Sequence, residues 1–351
     1  MTEKKLMKGN EAIVHAAIAA GCKFYAGYPI TPQNEIPEQM SLLLPKHDGV
    51  FIQAESELSA INMIFGASAV GVRCMTSSSS PGISLKQEGI SYIAAAELPC
   101  VIVNIVRGSP GLGNIRASQA DYFQSVKGGG HGDYHLIVLA PSTPQELYEL
   151  TMKAFDYADY YKNPVLILGD GILGQMVEPV ELKPYQPIFE LPSKKDWILD
   201  GCKDREPHVI KTLLLSPIDS LVKHNIHLQE KYKRINQELS LCEEYKTEDA
   251  EIIIAAYGIT ARVAREAVDV AREQGIKVGL IKPMTLWPFP KEIFQKYRDN
   301  NFLVIEMSEG QFIEDVKLST DCAARYYFLG HGGGWYPDTE KIMNKINEII
   351  K

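Results

Sequence analysis

The sequence lacks the closely spaced cysteines that iron–sulfur clusters and structural zinc sites require. Its six cysteines are scattered along 351 residues, and no two of them form a C-x-x-C pair. They are Cys22, Cys74, Cys100, Cys202, Cys242 and Cys322. We therefore expect reduced thiols that behave as small core residues, and neither a cluster nor a zinc site formed by this chain alone.

Long apolar runs and an excess of positive charge are also missing. No stretch reaches the roughly 18 consecutive apolar residues that predict a membrane-spanning helix, and the first residues contain no apolar segment of signal-peptide length. The formal net charge is −8, which disfavours nucleic-acid and anionic-membrane partners, because both require clustered Lys and Arg. We expect a cytoplasmic protein with neither kind of partner.

Helical and strand patterns alternate along most of the chain. An Ala-rich helix over residues 10–20 ends at Gly21, and apolar strands alternate with further helices after it. The predicted strands of this first part cover residues 23–27, 50–54, 73–76, 99–106, 136–139 and 165–168. This alternation predicts an α/β fold with a doubly wound, mostly parallel sheet.

The chain is long enough for two domains, since single hydrophobic cores rarely exceed about 250–300 residues. We predict a first domain over residues 1–185 and a proline-rich crossover over 186–249. The crossover should carry a charged surface helix from His227 to Tyr245. A second α/β domain should occupy residues 250–351, where Thr260 is expected to cap a helix.

Three loops of the first domain follow predicted strands, and each carries polar residues. They cover residues 28–32, 77–82 and 107–113. Because ligands bind at the carboxyl ends of parallel strands, we expect these loops to form one crevice. Thr31 is held in the first loop between two prolines.

Charged residues at two further strand ends have structural as well as functional interpretations. Glu55 and Glu57 lie between an apolar strand and a small-residue helix, where Glu57 could simply complement the helix dipole. Arg107 ends an apolar strand and could form a structural ion pair. Taken one at a time, these residues favour the structural interpretation.

Longer motifs resemble the alpha subunit of 2-oxoacid:ferredoxin oxidoreductases. They are Gly27-Tyr28-Pro29-Ile30-Thr31-Pro32, Thr76–Ser80 with Pro81-Gly82-Ile83-Ser84-Leu85, Gly132-Asp133-Tyr134, Lys282–Pro290 and Val304–Gln311. They occur in both predicted domains and in the order of the family. The resemblance implies a thiamine diphosphate pyrimidine-binding domain followed by a domain like the transketolase C-terminal one.

The resemblance also implies roles for individual residues. Glu57 resembles the glutamate that hydrogen-bonds N1′ of the thiamine aminopyrimidine and so activates the cofactor, with Glu55 as its rival. Tyr28 and Pro29 are expected to bind the cofactor. Thr31 resembles the residue that contacts the substrate's carboxylate or keto oxygen, and Arg107 resembles the arginine that pairs with that carboxylate.

Two patterns that suggest metal ligands are incomplete. In thiamine enzymes, G-D-G followed after roughly 25–30 residues by Asn binds the Mg²⁺ of the diphosphate. Gly169-Asp170-Gly171 has no such partner, since no asparagine lies between residues 163 and 225. We therefore interpret Asp170 as a turn residue. His131 and His135 lie where the chain passes a glycine and begins a strand. We do not expect their side chains to converge on one ion there, so we predict no metal site in this chain.

The family reaction converts a 2-oxoacid and coenzyme A to acyl-CoA and CO₂ while reducing ferredoxin. The resemblance therefore implies a beta subunit that supplies Mg²⁺, the diphosphate grip and a [4Fe–4S] cluster, with gamma and possibly delta subunits completing the complex. The Gly128–Asp133 stretch and the short length look most like the 2-oxoisovalerate (branched-chain) type. A 2-oxoglutarate enzyme, a non-catalytic scaffolding subunit and a dehydrogenase E1 beta chain are the alternatives.

Overall fold

Strands and helices alternate as the apolar periodicity predicts, in a computed structural model that describes residues 4–210 and 219–351. The strands are β1 (Lys4–Lys8), β2 (Phe24–Gly27), β3 (Val50–Gln53), β4 (Cys74–Ser78), β5 (Val101–Val106), β6 (Ile137–Leu139), β7 (Val165–Asp170), β8 (Val177–Glu181), β9 (Cys242–Tyr245), β10 (Ile252–Ala255), β11 (Val278–Pro283), β12 (Thr285–Trp287), β13 (Asn301–Glu306) and β14 (Arg325–Gly330). The helices are α1 (Gly9–Ala19), α2 (Glu35–Leu43), α3 (Glu57–Ala69), α4 (Pro81–Ala95), α5 (Tyr122–Val126), α6 (Pro144–Tyr161), α7 (Gly171–Gln175), α8 (Asp219–Glu238), α9 (Gly258–Glu273), α10 (Lys291–Lys296), α11 (Phe312–Ser319) and α12 (Thr339–Ile349).

The first domain is built on a seven-stranded sheet in the order β12-β6-β7-β5-β4-β2-β3. All of its neighbouring pairs are parallel except β12 with β6. The central strands β5 and β7 are buried along their whole length, as expected for a parallel sheet covered by helices on both faces. Helix α3 packs on α4, and α1 packs on α6. The predicted doubly wound α/β fold is confirmed.

The second domain has a five-stranded sheet in the order β14-β13-β10-β11-β9. Strand β9 is antiparallel to β11, and the other pairs are parallel. Each sheet takes an edge strand from outside its predicted domain, since β12 comes from the predicted second domain and β9 from the predicted crossover. A small antiparallel ribbon of β1 and β8 completes the sheets.

Two local predictions were wrong. The helix predicted from His227 to Tyr245 lies earlier in the chain, because α8 covers Asp219–Glu238 and strand β9 follows at Cys242–Tyr245. Thr260 does not cap α9 from outside, since it lies in the first turn and its hydroxyl donates to the carbonyl of Tyr257, the residue before the helix. Both errors arise where polar residues face a neighbouring element instead of solvent.

Buried polar contacts fix the second domain against the first. The amide of Gln119 donates to the carbonyl of Tyr257 at 2.8 Å, and the Tyr122 hydroxyl donates to Asp315 at 2.7 Å. These contacts lie beside the loop that follows β5, so the domain interface supports one side of the crevice. Within the described residues, no helix combines the length and apolar character needed to cross a bilayer.

Candidate active site

The predicted convergence of the three strand-end loops is confirmed. Strands β2, β4 and β5 are neighbours in the sheet, so their carboxyl ends open at the same edge. A guanidinium nitrogen of Arg107, after β5, donates to the carbonyl of Thr31, after β2, at 3.0 Å. The backbone N–H of Arg107 donates to the hydroxyl of Ser80, after β4, at 3.0 Å. One residue therefore joins all three loops.

Glu57 is the first residue of α3, and its side chain is buried against the start of α4. Ser56 caps the helix, since its hydroxyl accepts a hydrogen bond from the Ser59 N–H at 3.2 Å. The Glu57 residue is only 6% exposed. A Cβ atom added to Gly82 would lie 2.6 Å from a Glu57 carboxylate oxygen, so this glycine makes room for the carboxylate. Among the described residues, no ion pair involves Glu57.

Glu55 has different surroundings, although it lies only two residues earlier. It is exposed, and its carboxylate accepts a hydrogen bond from the Ser59 hydroxyl. That hydrogen bond is the largest cause that holds the pKa of Glu55 below its ordinary value. Glu55 is thus a solvated residue with a local partner, whereas Glu57 is desolvated with no cation bound to it.

The turn between β4 and α4 places hydroxyl groups beside Glu57. The hydroxyls of Ser78 and Ser79 are buried and have no hydrogen-bond partner among the residues that the structure describes. Ser80 has φ +22°, a region that residues other than glycine rarely occupy. Its N–H is held by the Asn104 side chain at 3.1 Å. A strained turn with unpaired polar groups is typical of functional sites.

Arg107 is 7% exposed and forms no ion pair with a carboxylate in the described parts of the chain. The structural ion pair considered for it is therefore not what the fold contains. Two of its nitrogens donate to the carbonyls of Thr31 and Leu112, each at 3.0 Å. Its Nε is buried without a partner. The cation is thus oriented by two loops and keeps unused capacity to bind an anion.

Thr31 borders an open cleft of about 980 Å³ between the two domains. Its hydroxyl is exposed and accepts a 3.3 Å hydrogen bond from Asn34. The cleft is lined by apolar and polar residues from both domains. Its walls include Thr31, Pro32, Glu35, Ile115, Arg116, Ala117, Ile172, Gln175, Met176 and Tyr336. Sequence reasoning did not single out Arg116, because its role in the cleft depends on how the second domain is placed.

Large apolar side chains are exposed around these loops. Leu58 follows Glu57, Leu85 lies in the first turns of α4, and Leu112 and Ile115 lie in the loop after β5. Their exposed fractions are 47%, 59%, 81% and 64%. Tyr28 is 39% exposed, and Pro29 beside it is exposed as well. Exposed apolar groups of this size around a polar site are typical of a surface that binds another macromolecule.

Asp170, predicted to be a turn residue, lies instead at the junction of β7 and α7. It ends β7, and its carboxylate caps α7 by accepting hydrogen bonds from the N–H groups of Ile172 at 2.9 Å and Leu173 at 3.1 Å. Burial raises its pKa to about 6, although backbone donors, including that of Ile259 in the second domain, oppose the shift. Its hydrogen bonds therefore point inward.

The histidines that suggested a metal site are separated by their packing. His135 stacks on Trp287 of β12 at 4.5 Å between ring centroids, whereas His131 meets the edge of Tyr92. Nowhere in the described residues do three potential ligands cluster in a way that could hold a metal ion.

The residues around Glu57 fit the aminopyrimidine half of thiamine diphosphate. A desolvated carboxylate without a bound cation can form a hydrogen bond with a ring nitrogen, and buried unpaired hydroxyls can bind further polar groups. Asp170, the acidic residue of the G-D-G pattern, is used as a helix cap.

Comparison with known families agrees with this geometry. Residues 15–241 match the family described as "Pyruvate flavodoxin/ferredoxin oxidoreductase, thiamine diP-bdg", and residues 250–342 match "Pyruvate:ferredoxin oxidoreductase core domain II". The chain is 48% identical over 347 residues to the ketoisovalerate oxidoreductase subunit VorB of Methanothermobacter marburgensis, covering 98% of this chain and 97% of that protein. It is 38% identical over 375 residues to the 2-oxoglutarate synthase subunit KorA of Methanothermobacter thermautotrophicus, covering 99% of each.

Solved structures show the same similarity. A 2-oxoglutarate:ferredoxin oxidoreductase from Magnetococcus marinus, with 2-oxoglutarate, coenzyme A and succinyl-CoA bound, superposes with a TM-score of 0.89 at 27% identity. The match covers 100% of this chain and 66% of that longer chain. A split-gene transketolase has a TM-score of 0.60 at 13% identity over 97% of each chain, which shows a shared fold. The resemblance predicted from the sequence motifs is confirmed.

Proposed function

This chain belongs to the pyruvate flavodoxin/ferredoxin oxidoreductase family and is a subunit of a 2-oxoacid:ferredoxin oxidoreductase, and on that premise we propose that Glu57 is the carboxylate that binds N1′ of the thiamine aminopyrimidine. The observation that carries this proposal is the burial of Glu57 without a bound cation, beside a glycine that leaves space for it. Glu55 is exposed and satisfied by Ser59, which leaves it less suited to the role.

When bound, thiamine diphosphate supplies the chemistry that removes the carboxylate of a 2-oxoacid as CO₂. The chain's own contribution is to hold and move one proton at N1′. A carboxylate in a desolvated site can share that proton over a short distance, because water molecules do not compete for the hydrogen bond. The unpaired hydroxyls of Ser78 and Ser79 are placed to bind polar groups of the same ring.

Arg107 and Thr31 are proposed to bind the substrate's carboxylate and keto group. Arg107 is held by two carbonyls and keeps a buried Nε without a partner. A guanidinium fixed in this way loses little side-chain entropy when it binds an anion. Thr31 borders the cleft with an exposed hydroxyl. Tyr28 and Pro29 of the same loop are proposed to contact the cofactor.

The preferred substrate is proposed to be 2-oxoisovalerate. Ile115, Ile172 and Met176 give the cleft an apolar surface that suits a branched alkyl group. The higher identity to a ketoisovalerate oxidoreductase subunit supports the same choice. One observation favours 2-oxoglutarate instead, since Arg116 also lines the cleft and could bind a second carboxylate.

Partner subunits are proposed to complete the site. A beta subunit would supply Mg²⁺, the diphosphate grip and a [4Fe–4S] cluster, with gamma and possibly delta subunits in the complex and ferredoxin as the electron acceptor. Asp170 is engaged as a helix cap, and the six cysteines are scattered, three of them buried in the first domain. Exposed Leu58 and Leu85 beside Glu57 are suited to the beta-subunit contact.

The experiment is a substrate panel with the reconstituted complex. Acyl-CoA formation is measured with 2-oxoisovalerate, 2-oxoglutarate and pyruvate for the parent, Arg116→Ala and Glu57→Gln. We expect the highest kcat/KM with 2-oxoisovalerate, little effect of Arg116→Ala on that acid, and loss of activity in Glu57→Gln. A preference for 2-oxoglutarate that disappears in Arg116→Ala would overturn the substrate assignment. Full activity of Glu57→Gln would overturn the role proposed for Glu57.

A further inference from the structure

One face of α4 brings a lysine into the interior beside Glu57. Gly82, Lys86 and Gly89 follow the i, i+4, i+7 spacing of a single helix face. A Cβ atom on Gly82 would lie 2.6 Å from a Glu57 oxygen, and one on Gly89 would lie 2.5 Å from the Ile61 side chain, one turn further along α3. Lys86 lies between these two contacts, on the face that packs against α3.

Lys86 is fully buried, with 0% of its surface exposed. Its ammonium donates to the hydroxyl of Thr76 on β4 at 2.7 Å. In the described parts of the chain, no carboxylate lies within the 4.0 Å of an ion pair with it. A buried cation bound only to a neutral hydroxyl is costly.

The charges around Lys86 reduce to a single anion. From α3 the charged group that acts on it is Glu57, while the face of β4 that carries Thr76 also carries the hydroxyl of Ser78 and the buried thiol of Cys74. On α4 itself, Glu88 is exposed and bound by Tyr92. Burial lowers the pKa of Lys86 to about 7, and attraction to Glu57 opposes that shift.

We infer that Lys86 is a positioning residue that keeps Glu57 ionised and oriented until the cofactor binds. The inference rests on the proposed function of Glu57. A positive charge behind the carboxylate favours its ionised form, which is the form that would accept a hydrogen bond from a protonated N1′. Lys86 has no exposed surface, so it would act on the cofactor only through Glu57.

The first test is the pH dependence of hydrogen–deuterium exchange at thiamine C2 in the assembled complex. The variants are Lys86→Met and Lys86→Gln, which remove the charge, and Lys86→Arg, which keeps it. Glu88→Gln is the matched control, because it changes one charge on the exposed face of the same helix. We expect the acid limb of the exchange rate to move to higher pH by about one unit in the Met and Gln variants. The Arg and Glu88 variants should retain the parent profile.

The second test does not depend on activity. Infrared difference spectra of the cofactor-free complex measure the protonated-carboxyl band, and subtraction of the Glu57→Gln spectrum assigns the part that belongs to Glu57. Lys86→Met should show that band at a pH at which the parent does not. An unchanged band together with an unchanged exchange profile in Lys86→Met and Lys86→Gln would overturn the inference.

The two proposals fail in different ways. Normal exchange in Glu57→Gln would overturn the role of Glu57 at the cofactor, whatever Lys86 does. Lost exchange in Glu57→Gln together with parent-like profiles in Lys86→Met and Lys86→Gln would leave the role of Glu57 intact and overturn that of Lys86. A shift that Lys86→Arg rescues supports both, since a merely structural lysine would not move the pH profile.

Discussion

Arg107 ends a buried strand with one guanidinium nitrogen unpaired, and this makes its role testable. Arg107→Ala should lower kcat/KM for every 2-oxoacid. The corresponding loss of transition-state stabilisation should be roughly 2–5 kcal/mol, the range for removing one partner of a buried charge pair. Arg107→Lys should restore only part of the loss, because an ammonium cannot reproduce the planar fork. Steady-state kinetics of the reconstituted complex provide the measurement.

The control for Arg107 is Arg298→Ala, an exposed arginine of the second domain that pairs with its neighbour Asp299. That variant should match the parent. If the alanine variant of Arg107 retained kcat/KM within about threefold, the residue would be a loop clamp that binds the carbonyls of Thr31 and Leu112 and not the carboxylate anchor.

For single residues, the sequence located the segment that contains the buried glutamate but could not distinguish Glu57 from Glu55. Glu55 and Glu57 share the same local pattern, and only the cap at Ser56 and the contact with α4 decide which of them is buried. Lys86 was missed because a lysine in a helix is ordinarily exposed. The glycine one turn before it was the available signal, since Gly82 marks the face that closely approaches α3.

The first turn of α4 packs against Glu57, and Gly82 in that turn leaves no room for a side chain. In Gly82→Ala, the new Cβ would lie 2.0 Å from the Ser78 hydroxyl and 2.6 Å from the Glu57 carboxylate. Both groups must then move, so we expect a large loss of cofactor activation. Thiamine C2 exchange and the melting temperature of the complex provide the readouts.

Gly66→Ala in α3 is the matched control for Gly82→Ala. A Cβ atom there meets nothing within 4 Å, and alanine favours helix by up to about 1 kcal/mol over glycine. It should leave exchange unchanged and preserve or raise the stability. Equal effects of the two substitutions would contradict the idea that Gly82 makes space specifically for Glu57.

Elements with apolar runs were predicted well, and those that depend on tertiary contacts were not. Strand β5 is buried throughout and reads as a strand in isolation. Strand β9 contains two glutamates and follows a charged helix, so its sequence resembles a continuation of α8. It becomes a strand because its backbone pairs with β11 and because Lys282 of β11 forms an ion pair with Glu243.

At the scale of the whole molecule, the domains share strands and a buried carboxylate. The sequence could not predict that β12 joins the sheet of the first domain, because β12 pairs with β6 across about 150 residues of chain. Asp170 likewise ends a strand of the first sheet while it accepts a hydrogen bond from Ile259 in the second domain. The charge of Asp170 should therefore influence the stability of the joined domains.

The folded-state pKa of Asp170 is raised from 3.8 to about 6, so the folded chain binds more protons than the unfolded chain between these values. Its contribution to stability is greatest at low pH and is lost as the pH rises through about 6. Relative to the parent, Asp170→Asn should therefore gain about 1 kcal/mol in the free energy of unfolding between about pH 5 and pH 7.5. Urea unfolding at both pH values measures this difference.

Asp338→Asn is the control for that pH dependence. Asp338 also caps a helix, but it is solvated, and its hydrogen bond with Lys341 holds its pKa below the ordinary value. The contribution of Asp338 to stability is fully present above about pH 4. The difference in unfolding free energy between this variant and the parent should therefore be the same at the two pH values. If the difference in unfolding free energy between Asp170→Asn and the parent did not change with pH, the buried carboxylate would be ionised at both pH values.

The central claim is that this chain activates the cofactor through Glu57, and hydrogen–deuterium exchange at thiamine C2 tests it most directly. The assembled complex is compared for the parent, Glu57→Gln and Glu55→Gln, since glutamine keeps the side-chain volume while removing the acidic group. We predict that exchange slows on the order of 10²–10⁴-fold in Glu57→Gln and stays at the parent rate in Glu55→Gln. Slow exchange only in Glu55→Gln, or normal exchange in both, would contradict the account.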